Sequence, residues 1–200
     1  IILFELRRLL KIADCYITRQ TDIEKALFQY KLGYEIFAKE NNKRFKSNKA
    51  PIELTLQKEL CKYLLERGIY SYGKSFGTHE IDLMVEQPGK IYVLETKIYK
   101  SNFSLENFER HIRRDFIQLS EYLDIESSSA YGILVIYNLT DVLLLMSKQW
   151  ISKRIWILPI NITSLTPSKR KQSIKIEESD KKPFIRFESL DVEPFRRKKN

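Results

Sequence analysis

Three charged residues in the middle of the chain have the types and spacing for metal chemistry. Asp82 interrupts one short apolar run, and Glu95 and Lys97 interrupt the next. Because side chains alternate along a strand, Glu95 and Lys97 project on one face and Thr96 on the other. Burying such groups is costly unless they are paired or bind something charged. If the two runs form a hairpin that brings Asp82 alongside, its oxygen ligands would suit a hard cation such as Mg²⁺, with Mn²⁺ as an alternative.

The hairpin itself is predicted from the local sequence. Residues 81–85 and 91–98 are rich in β-branched and other apolar residues, which favours strands. Residues 87–90, Gln-Pro-Gly-Lys, have the composition of a tight turn. The two strands should therefore be antiparallel neighbours.

A helix is predicted before this hairpin, from Pro51 to about Arg67. On a helical wheel Glu53 and Gln57 lie within the apolar face. Glu53 could therefore point towards the hairpin, or it could be exposed in a first turn that the helix dipole favours for an acid. The predicted apolar face consists of Leu54, Leu60, Cys61, Leu64 and Leu65.

A second, longer helix is predicted after the hairpin, from Ser104 to about Leu123. Its predicted buried face consists of Leu105, Phe108, Ile112, Phe116, Leu119 and Leu123. About 100° round the wheel lies a second stripe of His111, Asp115, Gln118 and Tyr122. This stripe would border the core and could face a cleft.

The remaining pattern predicts an α/β protein in three parts. Residues 1–50 are expected to form a helical extension, with helices over 1–16 and 22–40 and a basic linker over 41–50. Residues 51–165 are expected to form the core. Residues 166–200 are a charged segment expected to be loop or disordered, with an edge strand over 184–187. Further strands are predicted over 70–74, 131–137 and 155–162, with a strand or short helix over 142–146.

The net charge and the cysteine content indicate which binding partners and which cellular compartment to expect. A net charge of +9 over 200 residues favours a polyanion, nucleic acid first, although a basic surface can also serve solubility alone. Cys15 and Cys61 are far apart in sequence, so we expect no disulfide framework and a reducing cytoplasm. No signal peptide or apolar run of membrane-spanning length is visible, so no membrane partner is expected. The chain does not begin with Met, which leaves open a larger parent chain, a partner domain or a homodimer.

The order of predicted elements and the placement of the acids resemble the PD-(D/E)XK nuclease superfamily. Asp82 matches the first acid of the motif, and Glu95-Thr96-Lys97 match its (D/E)XK, while Ile81 stands in place of the proline. Glu53 matches the acid that many members carry on the preceding helix. Gln118 and Tyr122 match the QxxxY element of the RecB-like branch. The resemblance covers about residues 51–162.

This resemblance implies a restriction-endonuclease-like mixed central β-sheet flanked by helices, and metal-assisted phosphodiester hydrolysis, most readily of DNA. It makes Asp82, Glu95, the Thr96 carbonyl and Glu53 the metal ligands. Lys97 would orient the attacking water and neutralise the phosphate, and Gln118 would orient Lys97 or the substrate. The candidate nucleic-acid contacts are Tyr72, Lys74, His79, Arg110, Arg114 and Tyr122.

Two alternatives remain open on the sequence. The first is a module on the same fold that binds nucleic acid without catalysis, and the second is a structural domain that joins an assembly through residues 1–50. The resemblance does not distinguish DNA from RNA or endo- from exonuclease action. It leaves restriction, defence, repair and recombination open as settings.

Overall fold

The computed structural model describes residues 22–47, 49–76, 79–100, 105–126, 129–140, 142–146, 151, 154–162, 172–179 and 185–191. The helices are α1 (Asp22–Ile36), α2 (Ala38–Lys46), α3 (Glu53–Leu65) and α4 (Leu105–Glu126). The strands are β1 (Ser71–Phe76), β2 (His79–Gln87), β3 (Lys90–Tyr99), β4 (Ala130–Asn138), β5 (Leu143–Met146), β6 (Ile155–Asn161), β7 (Gln172–Glu178) and β8 (Ile185–Asp191). Within these described ranges, no helix has both the length and the apolar character needed to cross a membrane.

A mixed sheet of five strands forms the centre of the described structure, in the order β1-β2-β3-β4-β6. The neighbouring pairs β1/β2 and β2/β3 are antiparallel, whereas β3/β4 and β4/β6 are parallel. The β2–β3 turn contains Gly89 at a φ of 74°, a conformation that glycine adopts without steric cost. The predicted hairpin and the α/β class with a mixed central sheet are therefore confirmed.

A β-bulge interrupts the pairing of β1 with β2. Between two paired positions, β1 contributes Gly73 alone where β2 contributes both Asp82 and Leu83. Regular alternation would place Ile81 and Leu83 on one face, yet they belong to hydrophobic clusters on opposite faces of the sheet. The bulge therefore changes the direction of the side chains at Asp82.

The helix α4 covers one face of the sheet. Its residues Phe108, Ile112, Phe116, Leu119 and Leu123 are buried there, as the sequence predicts, while the side chain of Leu105 lies outside the described residues. The β4 residue Gly132 faces this helix, and a Cβ atom placed there would lie only 2.9 Å from Cγ of Leu119. A glycine thus permits the close approach of α4 to the sheet.

The helices α1 and α3 pack against the opposite face. The buried residues of α3 are Leu56, Leu60 and Leu64. The prediction that Leu54 and Leu65 lie on this buried face is wrong, since each is 52% exposed. The helix meets the sheet through residues that recur every fourth position, so it is rotated about its own axis relative to the predicted face.

Two segments are more ordered than the sequence predicts. Residues 41–46, expected to be linker, complete α2, whose buried Asn42 donates a hydrogen bond to the carbonyl oxygen of Ile162 at 2.7 Å. Residues 172–178, expected to be loop or disordered, form β7, which pairs with β5 and β8 in a second sheet. The predicted strand over 184–187 corresponds to β8 at the edge of that sheet. The predicted helix over 1–16 lies outside the described residues.

Candidate active site

The three residues Asp82, Glu95 and Lys97 meet where β2 and β3 separate. The pairing of these strands ends at Leu83 opposite Leu94, so Asp82 and Glu95 occupy the first positions beyond the last pair. The strand β3 continues beside β4 through this region, with Glu95 opposite Leu134. Beyond Leu94, β3 is thus no longer paired with β2, while it remains paired with β4.

The Asp82 carboxylate is held by the neighbouring strand. Its Oδ2 atom accepts two hydrogen bonds of 2.8 Å from Thr96, one from the backbone N–H and one from the hydroxyl. Its Oδ1 atom receives no hydrogen bond from the described residues. The sequence resemblance predicts that the Thr96 carbonyl binds a metal. The structure shows a further role, because the N–H and the hydroxyl of Thr96 fix the Asp82 carboxylate.

The backbone of Asp82 is held from the other side by α3. Gln57 Nε2 donates a hydrogen bond of 2.8 Å to the Asp82 carbonyl oxygen. The sequence places Gln57 on the face of Glu53, one helical turn later, but reasoning from it assigned this residue no role. The shared helix face was the signal that could have identified it.

Glu95 and Lys97 form a close pair on the same face of β3, as strand alternation predicts. Lys97 Nζ donates to Glu95 Oε1 at 2.6 Å. Glu95 is only 2% exposed, and its other oxygen, Oε2, is buried without a hydrogen-bond partner among the described residues. An unpartnered carboxylate oxygen in a buried position is energetically costly, so it calls for an explanation.

Glu53 is the first residue of α3 and contributes a third carboxylate. Its Oε1 lies 3.5 Å from Lys97 Nζ, and its side chain is 45% exposed. The orientation towards the hairpin that the helical wheel allowed is therefore observed. Glu53 and Glu95 thus both contact the Lys97 ammonium, and the charge of Asp82 acts on it from nearby.

Burial and the neighbouring charges together set the protonation of Glu95 and Lys97. Burial and the charge of Asp82 raise the pKa of Glu95 to about 7, and nearby Lys97 opposes this rise. Burial by itself would lower the pKa of Lys97, but the carboxylates of Glu95, Glu53 and Asp82 raise it above its usual range. Lys97 is therefore held as an ammonium in the metal-free protein.

Two carboxylate oxygens of the site are open to a cation. No group of three or more His, Cys, Asp or Glu residues within the described ranges is arranged so that it could hold a metal ion by itself. Magnesium, however, is usually bound by one or two carboxylates and completes its octahedron with water and substrate phosphate. The unpartnered Oε2 of Glu95 and the open Oδ1 of Asp82 are two such oxygens.

Two residues of the second stripe of α4, Gln118 and Tyr122, contact each other, and Tyr122 is buried in the core at 3% exposure. Gln118 Nε2 donates to the Tyr122 hydroxyl at 2.7 Å, and the described residues give Gln118 no bond to Lys97. Sequence reasoning missed a contact between this stripe and β3, in which the Tyr99 hydroxyl donates to Oδ2 of the fully buried Asp115 at 2.6 Å. Strand alternation puts Tyr99 on the face of Lys97, which was the available signal.

The candidate nucleic-acid contacts are less closely grouped. Tyr72 is exposed on β1 and its hydroxyl donates to Glu86. Arg110 bonds to Asn107 Oδ1 at 2.7 Å, and Arg114 pairs with Asp115 at 2.9 Å. The side chains of two other candidates, Lys74 and His79, lie outside the described residues.

The chain matches no protein-family model, no curated protein and no solved structure.

Proposed function

We propose that this protein is a Mg²⁺-dependent nuclease that hydrolyses phosphodiester bonds, with DNA as its substrate. The observation that carries the proposal is the buried, unpartnered Oε2 of Glu95 beside the charge of Asp82, with the Lys97 ammonium at 2.6 Å from the other oxygen of Glu95. Such an arrangement is costly for the fold alone and useful for holding a cation and a phosphate together.

The topology supports a restriction-endonuclease-like fold in particular. The elements α3, β1, β2, β3, α4 and β4 follow one another along the chain, and the four strands are adjacent in that order in the sheet. Three antiparallel strands followed by a helix and a parallel strand is the arrangement that the resemblance to the PD-(D/E)XK superfamily implies. The acids lie on the elements where that resemblance expects them.

The proposed metal ligands are Asp82 and Glu95, with Glu53 as an outer carboxylate. A bound Mg²⁺ would lower the pKa of nearby water and offset the negative charge that develops on the phosphate. Thr96 holds the Asp82 carboxylate in one orientation through its two hydrogen bonds. This fixed orientation avoids reorganising the ligand during the reaction.

Lys97 is proposed to act through its positive charge. The raised pKa keeps it protonated, so it can donate hydrogen bonds to a phosphate oxygen or to the attacking water. Glu53 and Glu95 hold its ammonium from two sides, at 3.5 and 2.6 Å. Gln118 is proposed to orient the substrate from α4, where its bond to the Tyr122 hydroxyl holds it, while Tyr122 itself is buried in the core at 3% exposure.

The proposal is tested by substituting Lys97→Met, with Lys100→Met as the matched control on an exposed residue of the same segment. Supercoiled, linear and single-stranded DNA, and RNA, are incubated with Mg²⁺ or with EDTA. We expect Mg²⁺-dependent DNA cleavage by the wild type and by Lys100→Met, and a loss of about 100-fold or more in Lys97→Met because a charge at the phosphate is removed.

Other outcomes would decide between the alternatives. Salt-sensitive DNA binding with no cleavage under any condition would favour a binding module without catalysis. Equal cleavage by Lys97→Met and Lys100→Met would refute the assignment of the site.

A further inference from the structure

A pocket lined by aromatic rings lies among α1, α2 and α3, towards the end of α3 that is far from Glu53. We call it the tyrosine pocket; its volume is about 420 Å³. This volume lies within the range of small-molecule pockets. The lining residues that matter for its chemistry are Tyr30, Tyr34, Phe37 and Tyr63, with the amide side chains of Gln29 and Asn41.

The aromatic rings of the pocket are fixed rather than loosely exposed. Tyr30 forms the floor, because it is buried and its hydroxyl lies 2.8 Å from that of Tyr137. The rings of Tyr34 and Tyr63 pack against Tyr30 at centroid distances of 4.9 and 4.8 Å. Phe37, at 60% exposure, stands at the rim. Ordered rings around an open space lose little entropy when a flat ligand stacks on them.

The polar groups of the pocket suit the edge of a heterocycle. Asn41 donates through Nδ2 to the Tyr34 carbonyl oxygen at 2.9 Å, which leaves its amide oxygen as an acceptor. Gln29 is exposed and makes no hydrogen bond to the described residues. An amide can both donate to and accept from the edge of a nucleobase.

The charges around the pocket favour an anionic ligand over a cationic one. The guanidinium of Arg67 lies 3.4 Å from the centroid of the Tyr63 ring. The helix α2 begins beside Phe37, with one acid, Glu40, in its first turn and three cations, Lys43, Arg44 and Lys46, in its last turn. The nearby acid Glu59 is already bound to Arg44 and to the Tyr34 hydroxyl. A quaternary ammonium would meet these cations, whereas a phosphate-linked base would be attracted to them.

We infer that the tyrosine pocket binds an unpaired nucleobase of the nucleic acid that the chain acts on. Successive bases of a single strand commonly stack on aromatic side chains beside a basic surface. Tyr63 follows Glu53 by ten residues on α3, so the pocket lies roughly 15 Å along the helix from the carboxylates. This inference rests on the nucleic-acid partner of the proposed function, and it adds a preference for single-stranded substrate.

The inference is tested by filling the pocket instead of dismantling it. Gly33 lines the pocket, and nothing lies within 4 Å of a Cβ atom placed there. Gly33→Leu adds bulk, while Gly33→Ala is the matched control, and both replace a glycine inside a helix with a better helix former. Neither variant is therefore expected to unfold the protein, which circular dichroism and thermal melting would verify.

The measurement is binding of a labelled oligothymidylate and of an abasic strand of equal length, in EDTA to prevent cleavage. We expect wild type and Gly33→Ala to bind the thymidylate about 5- to 150-fold more tightly than the abasic strand, as stacking of one base supplies. Gly33→Leu should lose that preference and keep the affinity for the abasic strand. Equal preference in Gly33→Leu and Gly33→Ala would overturn the inference.

The outcomes separate this inference from the proposed function. Equal wild-type binding of the thymidylate and the abasic strand, with Mg²⁺-dependent cleavage intact, would refute the pocket alone. Failure of the wild type to bind either strand or duplex DNA would refute both.

Discussion

At the scale of single residues, the main feature is a carboxyl group that the fold does not satisfy. Glu95 bonds to Lys97 through one oxygen, while the other is buried without a partner among the described residues. Its ordinary pKa of 4.5 is raised to about 7 by burial and by the charge of Asp82, against the opposing effect of Lys97. A cation bound at Oε2 would offset both the burial of the Glu95 carboxylate and its repulsion by Asp82.

This pKa leads to a prediction about pH. Cation binding requires the ionised carboxylate, so below pH 7 the cation must displace a proton from Glu95. We expect kcat/KM for Mg²⁺-dependent cleavage to rise about tenfold per pH unit up to about pH 7 and to level off above it. A profile that stays flat from about pH 5.5 to about pH 8.5 would contradict the role of Glu95 as a ligand.

Thermal stability of the metal-free protein provides an independent control. The folded state holds a proton on Glu95 that the unfolded state has released between pH 4.5 and about 7, so wild-type stability should fall as pH rises through that window. Glu95→Gln has no such proton. The melting temperature of the variant should therefore rise relative to wild type between pH 5 and pH 8, by a few degrees at most.

The charged residues of the candidate site could be predicted from the sequence because strand alternation is a local rule. It placed Glu95 and Lys97 on one face, and the apolar surroundings indicated burial. The two bonds from Thr96 to Asp82 were not accessible, because they depend on how two strands separate beyond Leu83. That separation is a property of the folded sheet and leaves no pattern in either strand alone.

At the scale of elements, the position of α3 matters most for the site. Its first residue, Glu53, contacts Lys97, and one turn later Gln57 holds the backbone of Asp82. This second contact lies at the β-bulge, where β1 supplies only Gly73 opposite Asp82 and Leu83. The helix thus fixes the one strand position whose direction the bulge changes.

We therefore predict that Gln57 is a positioning residue. Gln57→Met keeps the length of the side chain and removes its hydrogen bond, and Lys58→Met on the exposed side of α3 is the control. The substitution at Gln57 should lower kcat about 10- to 100-fold with little change in KM, as loss of an outer contact to a ligand does. An unchanged kcat, or a parallel loss of folding and binding, would show that the contact is only structural.

Element boundaries were predicted well where hydrophobic patterns were long and poorly where polar residues dominate. The strands of the hairpin and the 22-residue α4 follow from clear apolar patterns. The end of α2 is rich in Lys, Arg and Asn, so its helical state depends on tertiary contacts such as that of Asn42 with Ile162. In β7, Ile174 and Ile176 do alternate with polar residues, a strand signal that the high charge obscured.

At the scale of the whole molecule, two regions with different chemistry lie at the two ends of α3. The carboxylates and Lys97 lie where β2 and β3 part, and the tyrosine pocket lies among α1, α2 and α3. The helix α3 spans both, with Glu53 at its start and Tyr63 near its end. The net charge of +9 would favour association with the nucleic acid that the proposed function requires.

The most direct test of the central claim is DNA cleavage by Asp82→Asn as a function of Mg²⁺ concentration. An asparagine can still accept the hydrogen bonds of Thr96, so the substitution removes the charge and retains the shape of the site. Asp124→Asn, at a mostly exposed carboxylate, is the control. We predict Mg²⁺-saturable cleavage by wild type and control, none in EDTA, and a loss of about 100-fold or more in Asp82→Asn. Undiminished cleavage by Asp82→Asn, or cleavage by the wild type that persists in EDTA, would contradict the account.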